Sequence, residues 1–167
     1  NEQEWQQLFE TIGQAINDVE TFRITEGKSL EKELLYRNQN ILSQLDEITP
    51  FEKQRMENLK VKISRDLYDI VKKEDIDKNR FEQEVIYYQD KLDITEERVR
   101  LKKHCEYFVE TLNEPESQGK KLSFITQEMG REINPLGSKA GEANIQKIVV
   151  QMKDELEKIK EQLFNIL

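Results

Sequence analysis

Apolar residues recur at steps of three and four along most of this chain, the spacing of one face of an α-helix. Trp5, Leu8, Phe9, Ile12, Ile16, Val19 and Phe22 form the first stripe, which the Thr25-Glu26-Gly27 break is expected to end. A second run starts with Ser29 in N-cap position and carries Leu30, Leu34, Ile41, Leu45 and Ile48. Thr49-Pro50 interrupts it. A Thr cap with Pro at the first helical position is a favoured start, and Met56, Leu59, Ile63, Leu67 and Ile70 continue that helix towards Lys72. The connection at 48–51 is either a sharp reversal or a kink. Asp75-Ile76-Asp77 opens a helix bearing Phe81, Val85, Tyr88 and Leu92, after which Asp93-Ile94-Thr95-Glu96 reads as a capping box. The helix it starts buries Ile94, Leu101, Cys105 and Phe108 and reaches Leu112. The segment 113–119, with Pro115, Ser117 and Gly119, is a loop.

Beyond that loop, Leu122, Ile125, Met129 and Ile133 make a buried face, and Gln127, Glu128, Arg131 and Glu132 crowd the remainder. Asn134-Pro135-Leu136-Gly137-Ser138 is expected to end this helix. The last helix, from about Ala143, carries Ile145, Ile148, Val149, Met152, Leu156, Ile159, Leu163 and Ile166 in a near-heptad seam, as in a hairpin or an oligomer contact. The pattern as a whole predicts an all-α chain, with long antiparallel helices paired in a helical bundle. It reads as a single helical domain over 1–167, with helical hairpins over 1–73 and the remaining helices over 74–167.

Composition sharpens this. Only 36% of the residues are hydrophobic and 36% are charged, lean for a compact globule of 167 residues, so some apolar surface is expected to meet a partner. One cysteine, Cys105, excludes an internal disulfide framework, and there is no run of eighteen apolar residues. A reducing cytoplasm is the default, without membrane attachment. The net charge of −8 argues against a purely basic nucleic-acid-binding module and gives no expectation of DNA binding. An acidic chain still processes RNA when carboxylates hold a divalent ion and a few local cations position the backbone. Lys120, Lys121, Arg131, Lys139 and Lys147 are candidates for that positioning.

The run from Gly119 to Leu167, together with DKNRFEQEV at 77–85 and DITEERVRLKKH at 93–104, resembles the C-terminal signature of the bacterial YicC/YloC family of endoribonucleases. The family pattern usually has Thr where this chain has Pro135. Full-length relatives begin with a separate N-terminal domain of mixed strands and helices, which nothing here resembles, so the chain is expected to be a C-terminal fragment. The resemblance implies RNA as substrate and a ring-like homohexamer in the full-length protein. It also implies that Ser138 and Lys139 help hold RNA phosphate. The Glu-x-x-Arg-x-x-x-His arrangement of Glu97, Arg100 and His104 matches the family motif and marks them as site residues.

The residues themselves suit that chemistry. Glu97, Arg100 and His104 share one side of their helix, with Glu97 and His104 beside the apolar stripe and so half-buried. Glu128 and Glu132 stand one turn apart, and Arg131 relieves only part of their repulsion. Cleaving a phosphodiester needs an activated oxygen nucleophile, neutralised charge at phosphorus and a proton for the leaving oxygen. Glu97, Glu128 and Glu132 are candidate ligands of Mg²⁺ or Mn²⁺, with His104 as a further ligand of Mn²⁺. Arg100 and Arg131 are placed to brace phosphate. His104 is alternatively the proton-transfer group, and a metal-independent route would use the RNA 2′-hydroxyl as nucleophile with His104 as base. Spacing does not decide between the routes. Gly119-Lys120-Lys121 is not a phosphate-binding loop of the Walker type, because Leu122 stands where Ser or Thr is required. The competing function class is an RNA-binding adaptor and oligomerisation module that delivers RNA to another nuclease. On the enzyme reading, the isolated fragment folds but cleaves weakly.

Overall fold

A computed structural model describes residues 2–70, 78–116, 118–164 and 166 of the chain. Among these residues there are six α-helices and no strand: α1 (Glu2–Glu47), α2 (Thr49–Ile70), α3 (Lys78–Leu92), α4 (Thr95–Leu112), α5 (Gly119–Ala140) and α6 (Ala143–Leu163). The helix start expected at Asp75-Ile76-Asp77 and the burial expected of Met56, Leu67 and Ile70 lie outside the described residues and side chains. The chain divides into two compact units, Asn1–Tyr36 and Arg37–Leu167, and the division falls inside α1.

The first unit is one helical arm. The break expected at Thr25-Glu26-Gly27 does not occur, and Ser29 is interior to the helix and caps nothing. Thr11, Thr21 and Thr25 each donate the side-chain hydroxyl to the carbonyl four residues earlier, at 2.8, 2.9 and 2.9 Å, so these residues are accommodated within the helix. Gly27 costs about 1 kcal/mol against Ala in a helix interior, too little to end one. The apolar stripe from Trp5 to Phe22 is exposed here, with Trp5 at 65% and Phe9 at 70%.

In the second unit, α4, α5 and α6 lie side by side. Lys139 meets Glu97 at 2.7 Å and Lys121 sits 5.1 Å from the Tyr107 ring centroid, so the end of α5 is beside the start of α4 and the pair is antiparallel. α5 and α6 are antiparallel as well. A Cβ on Gly137 would stand 3.1 Å from Val149 Cγ1 and one on Gly130 would stand 3.4 Å from Leu156 Cδ2. Gly137 therefore lets the two backbones come close, as a larger residue would not. The stripes read from the sequence fill the space between: Leu101, Cys105 and Phe108 from α4, Leu122, Met129 and Ile133 from α5, and Ile145, Met152 and Ile159 from α6 are all buried. Ile41, Leu45 and Ile48 join them from the end of α1. Buried Asn38 donates its side-chain N–H to the Cys105 carbonyl at 3.2 Å.

Two helix boundaries differ from expectation. Pro135 lies inside α5, which continues to Ala140 and ends at Gly141, whose left-handed φ of 58° gives a favoured stop. Leu136 and Ala140 are fully buried, and their burial on the core face favours continuing the helix over the lost N–H of proline. The capping box is also absent. Asp93 accepts from the Thr95 N–H at 2.9 Å and the Thr95 hydroxyl at 2.6 Å, while Glu96 turns forward to Arg100. These Thr95 hydrogen bonds, side chain first, hold the Asp93 carboxyl below its usual range.

Cys105 is fully buried, and burial pushes its thiol up to about 12. Only the thiolate reacts readily with alkylating agents. Iodoacetamide should therefore label Cys105 in denaturant but not in the native protein at pH 8, with mass spectrometry as the readout. Rapid native labelling would contradict this burial.

Candidate functional site

The antiparallel pairing of α4 and α5 sets one polar margin against the other. On α4, Glu97, Arg100 and His104 follow at steps of three and four; on α5, Glu128, Glu132 and Lys139 do the same over a longer span. Lys139 Nζ donates to Glu97 at 2.7 Å and to the Asp93 carbonyl at 2.9 Å. Arg100 Nη1 lies 3.8 Å from Glu132, and Arg100 also pairs with Glu96 on its own helix. His104 and Glu128 follow Arg100 and Glu132 one turn further along the two polar margins. His104 is half-buried, as its place beside the stripe implies.

Each carboxylate in the row has a cation beside it. Burial pushes the Glu97 carboxyl up, but the hydrogen bond from Lys139, a hydrogen bond from its own backbone N–H and the charges of Lys139 and Arg100 together outweigh this and leave it below its ordinary 4.5. Glu132 is buried, at 8% exposure, and Arg100 is its neighbouring charge. Glu128 is bonded by Arg131 at 2.7 Å. Among the described residues no three of His, Cys, Asp and Glu are grouped to hold a metal ion.

The cations suggested for phosphate fall into two kinds. Lys121 and Arg131 make surface pairs, with Glu114 at 2.5 Å and Glu128 at 2.7 Å. Exposed pairs of this kind contribute little, so either cation can turn to another anion at little cost. Lys120 forms no ion pair with a described residue. Lys139 is different, because it ties the start of α4 to the end of α5. Ser138 lies on the last turn of α5, not in a loop, and donates its hydroxyl to the Pro135 carbonyl at 3.3 Å.

This difference is measurable. Lys139→Ala leaves half-buried Glu97 without its donor and should lower stability at pH 7 by about 1–2 kcal/mol in urea unfolding. A carboxyl whose folded pKa is depressed stabilises the fold above its unfolded value and loses that contribution as the pH falls through the folded one. The gap between wild type and variant should therefore close when the titration is repeated in acid, below the carboxylate range. A gap that stays constant would assign the effect to packing of the lysine stem.

One feature was not legible from residue spacing. The start of α5 and the end of α6 flank an open cavity of about 530 Å³ lined by Lys120, Ser123, Gln127, Lys160 and Phe164, among others. Its signal in the sequence was indirect: an α5–α6 hairpin brings residue 119 against 166, where a Gly119 Cβ would be 3.3 Å from Ile166.

An all-α unit with this charged α4–α5 seam matches the family model described as "Endoribonuclease YicC-like, C-terminal" over residues 48–167. The chain belongs to that family. A probable endoribonuclease YicC from Clostridioides difficile is 36% identical over 163 residues, covering 97% of this chain and 56% of that protein. A protein with the same name from Haemophilus influenzae is 36% identical over 91 residues, covering 54% of this chain and 32% of its own length. The chain thus spans about half, or less, of the curated relatives it matches. No helix among the described residues is long and apolar enough to cross a membrane.

Proposed function

We propose that the protein is an endoribonuclease in which the α4–α5 seam carries the reacting groups. The supporting observation is that the facing margins of α4 and α5 bring Lys139 to Glu97 and Arg100 to Glu132, on the helix that carries His104, in a chain of the YicC-like endoribonuclease family. In this reading His104 takes or gives the proton at the reacting oxygen, and Arg100, with 52% of its side chain exposed, neutralises phosphate charge. Glu132 and Glu96 hold the guanidinium near His104. Arg131 swings from Glu128 to the RNA backbone.

Divalent metal assistance belongs to the proposal but gains no support from this chain alone. Glu97 and Glu128 are hydrogen-bonded to cations, Glu132 has Arg100 within 4 Å, and no three potential ligands gather among the described residues. The carboxylates of one chain, each paired with a cation, thus do not fit an ion. Cytoplasmic location and a homo-oligomer, up to a hexamer in the full-length protein, are part of the same reading.

The deciding experiment is cleavage of a defined RNA by the full-length protein, purified with and without chelator. Cleavage lost in chelator and restored by Mg²⁺ or Mn²⁺ assigns metal assistance; cleavage that persists assigns the 2′-hydroxyl route. RNA bound but never cut overturns the enzyme reading in favour of the adaptor, a reading that the paired state of every carboxylate in the row favours.

A further inference from the structure

We propose that the cavity between the start of α5 and the end of α6 is a pocket for one unpaired nucleotide of an RNA strand. The inference rests on RNA being the substrate and adds where the strand is gripped. At about 530 Å³ the cavity has the size of a small-molecule site and offers a few convergent polar groups, as such sites do.

Its chemistry is divided between two ends of a nucleotide. Lys120 and Lys160 both line it, and Lys120 has no ion pair with a described residue. Lys160 pairs with Glu157 at 2.6 Å, a surface i, i+3 pair that phosphate can displace at little cost. α5 begins at this cavity with no side chain capping it, so its first N–H groups, which lack partners within the helix, add donors beside those two cations. Together these groups suit a phosphate.

The other end suits a base. Phe164, 88% exposed, is an aromatic ring at the cavity wall in a chain where most apolar side chains of α4–α6 are inside. An exposed aromatic beside cations is the usual platform for stacking a single-stranded base. Gln127 and Ser123 supply an amide and a hydroxyl for the base edge or sugar. A bare anion site would have no use for Phe164. A duplex keeps its bases stacked and could not offer one.

The pocket also fits the seam. Lys120, Gln127 and Arg131 follow one another at helical spacing on α5, and Glu128 is the next residue after Gln127. A nucleotide seated in the cavity therefore directs the adjoining backbone along α5 towards Arg131 and the α4–α5 row. The pocket would position the strand without taking part in chemistry.

The test uses the full-length protein and a fluorescently labelled single-stranded RNA of twelve nucleotides, followed by anisotropy. Phe164→Ala and Phe164→Leu should each weaken binding about tenfold, since leucine keeps bulk but not the stacking face. Lys120→Ala should weaken it further and flatten the salt dependence. Circular dichroism melts should be unchanged, because both side chains are exposed. A nucleoside monophosphate should compete with the RNA in the wild type and lose that ability in Phe164→Ala. If inorganic phosphate competes as well as the nucleotide, the cavity is an anion site only and the nucleotide reading falls. If the wild type binds and cuts RNA and the Phe164 and Lys120 variants bind as tightly, the pocket is wrong and the endoribonuclease reading stands. If the wild type neither binds nor cuts RNA, both fall.

Discussion

His104→Ala in the full-length protein should lower the rate of RNA cleavage by about 10²–10⁴-fold while changing RNA affinity by less than about threefold, the pattern of a lost proton-transfer group. The expectation follows from position. Arg100 and Glu132 face each other at 3.8 Å, so a substrate phosphate drawn to Arg100 lies one helical turn from the His104 ring. An imidazole in that place carries a proton without holding the strand, so binding survives its removal. Glu128→Gln tests the other wall. It removes a charge from the facing margin of α5 and also frees Arg131, so turnover should fall while affinity holds or rises slightly. Single-turnover cleavage separates the two quantities. Full activity in both variants would remove this seam from the chemistry and leave the adaptor reading ahead.

How far this was legible in the sequence depends on the kind of signal. The buried faces of α4, α5 and α6 follow from apolar spacing because burial is a property of the residues themselves: Leu101, Cys105, Phe108, Met129 and Ile133 are inside as the period demands. The half-buried margin at Glu97 and His104 follows from the same wheel. Their alignment with Glu132 and Lys139 does not, because it needs the direction and register of the α5 partner, and the register was hidden by Pro135. A proline reads locally as a stop. Tertiary burial of Leu136 and Ala140 overrides it, and the extra turn carries Lys139 to Glu97. The break expected in α1 failed in the same sense, since a Thr-Glu-Gly triplet ends a helix only where nothing sustains it on both sides. The ion pairs were the least legible. Glu128 and Glu132 invited a cation, but whether it is a metal, Arg131 or Arg100 is decided by neighbours that sequence proximity does not name.

Arg55 is the clearest case of such a neighbour, and its removal should be among the most destabilising single changes in the second unit. In the sequence it is one more charged residue on the polar side of α2. In the fold it is buried, at 7% exposure, and its guanidinium donates to three backbone carbonyls: Lys139 at 3.1 Å, Ala140 at 3.0 Å and Leu92 at 2.5 Å. These carbonyls close α5 and α3, where the last turn of a helix leaves acceptors unpaired and the helix dipole favours a cation. One side chain thus joins α2, α3 and α5 and sits behind the turn that holds Lys139 to Glu97. Arg55→Met keeps most of the stem but leaves those carbonyls without their charged donor, at a cost of about 3 kcal/mol. Urea unfolding should show that loss as a lower midpoint at unchanged slope. Arg55→Lys should recover only part of it, because one ammonium cannot span acceptors at the ends of two helices as a planar fork does. If Arg55→Met costs less than about 1 kcal/mol, then water satisfies these helix ends as well as the guanidinium does, and the clasp is not what holds α3 and α5 to α2.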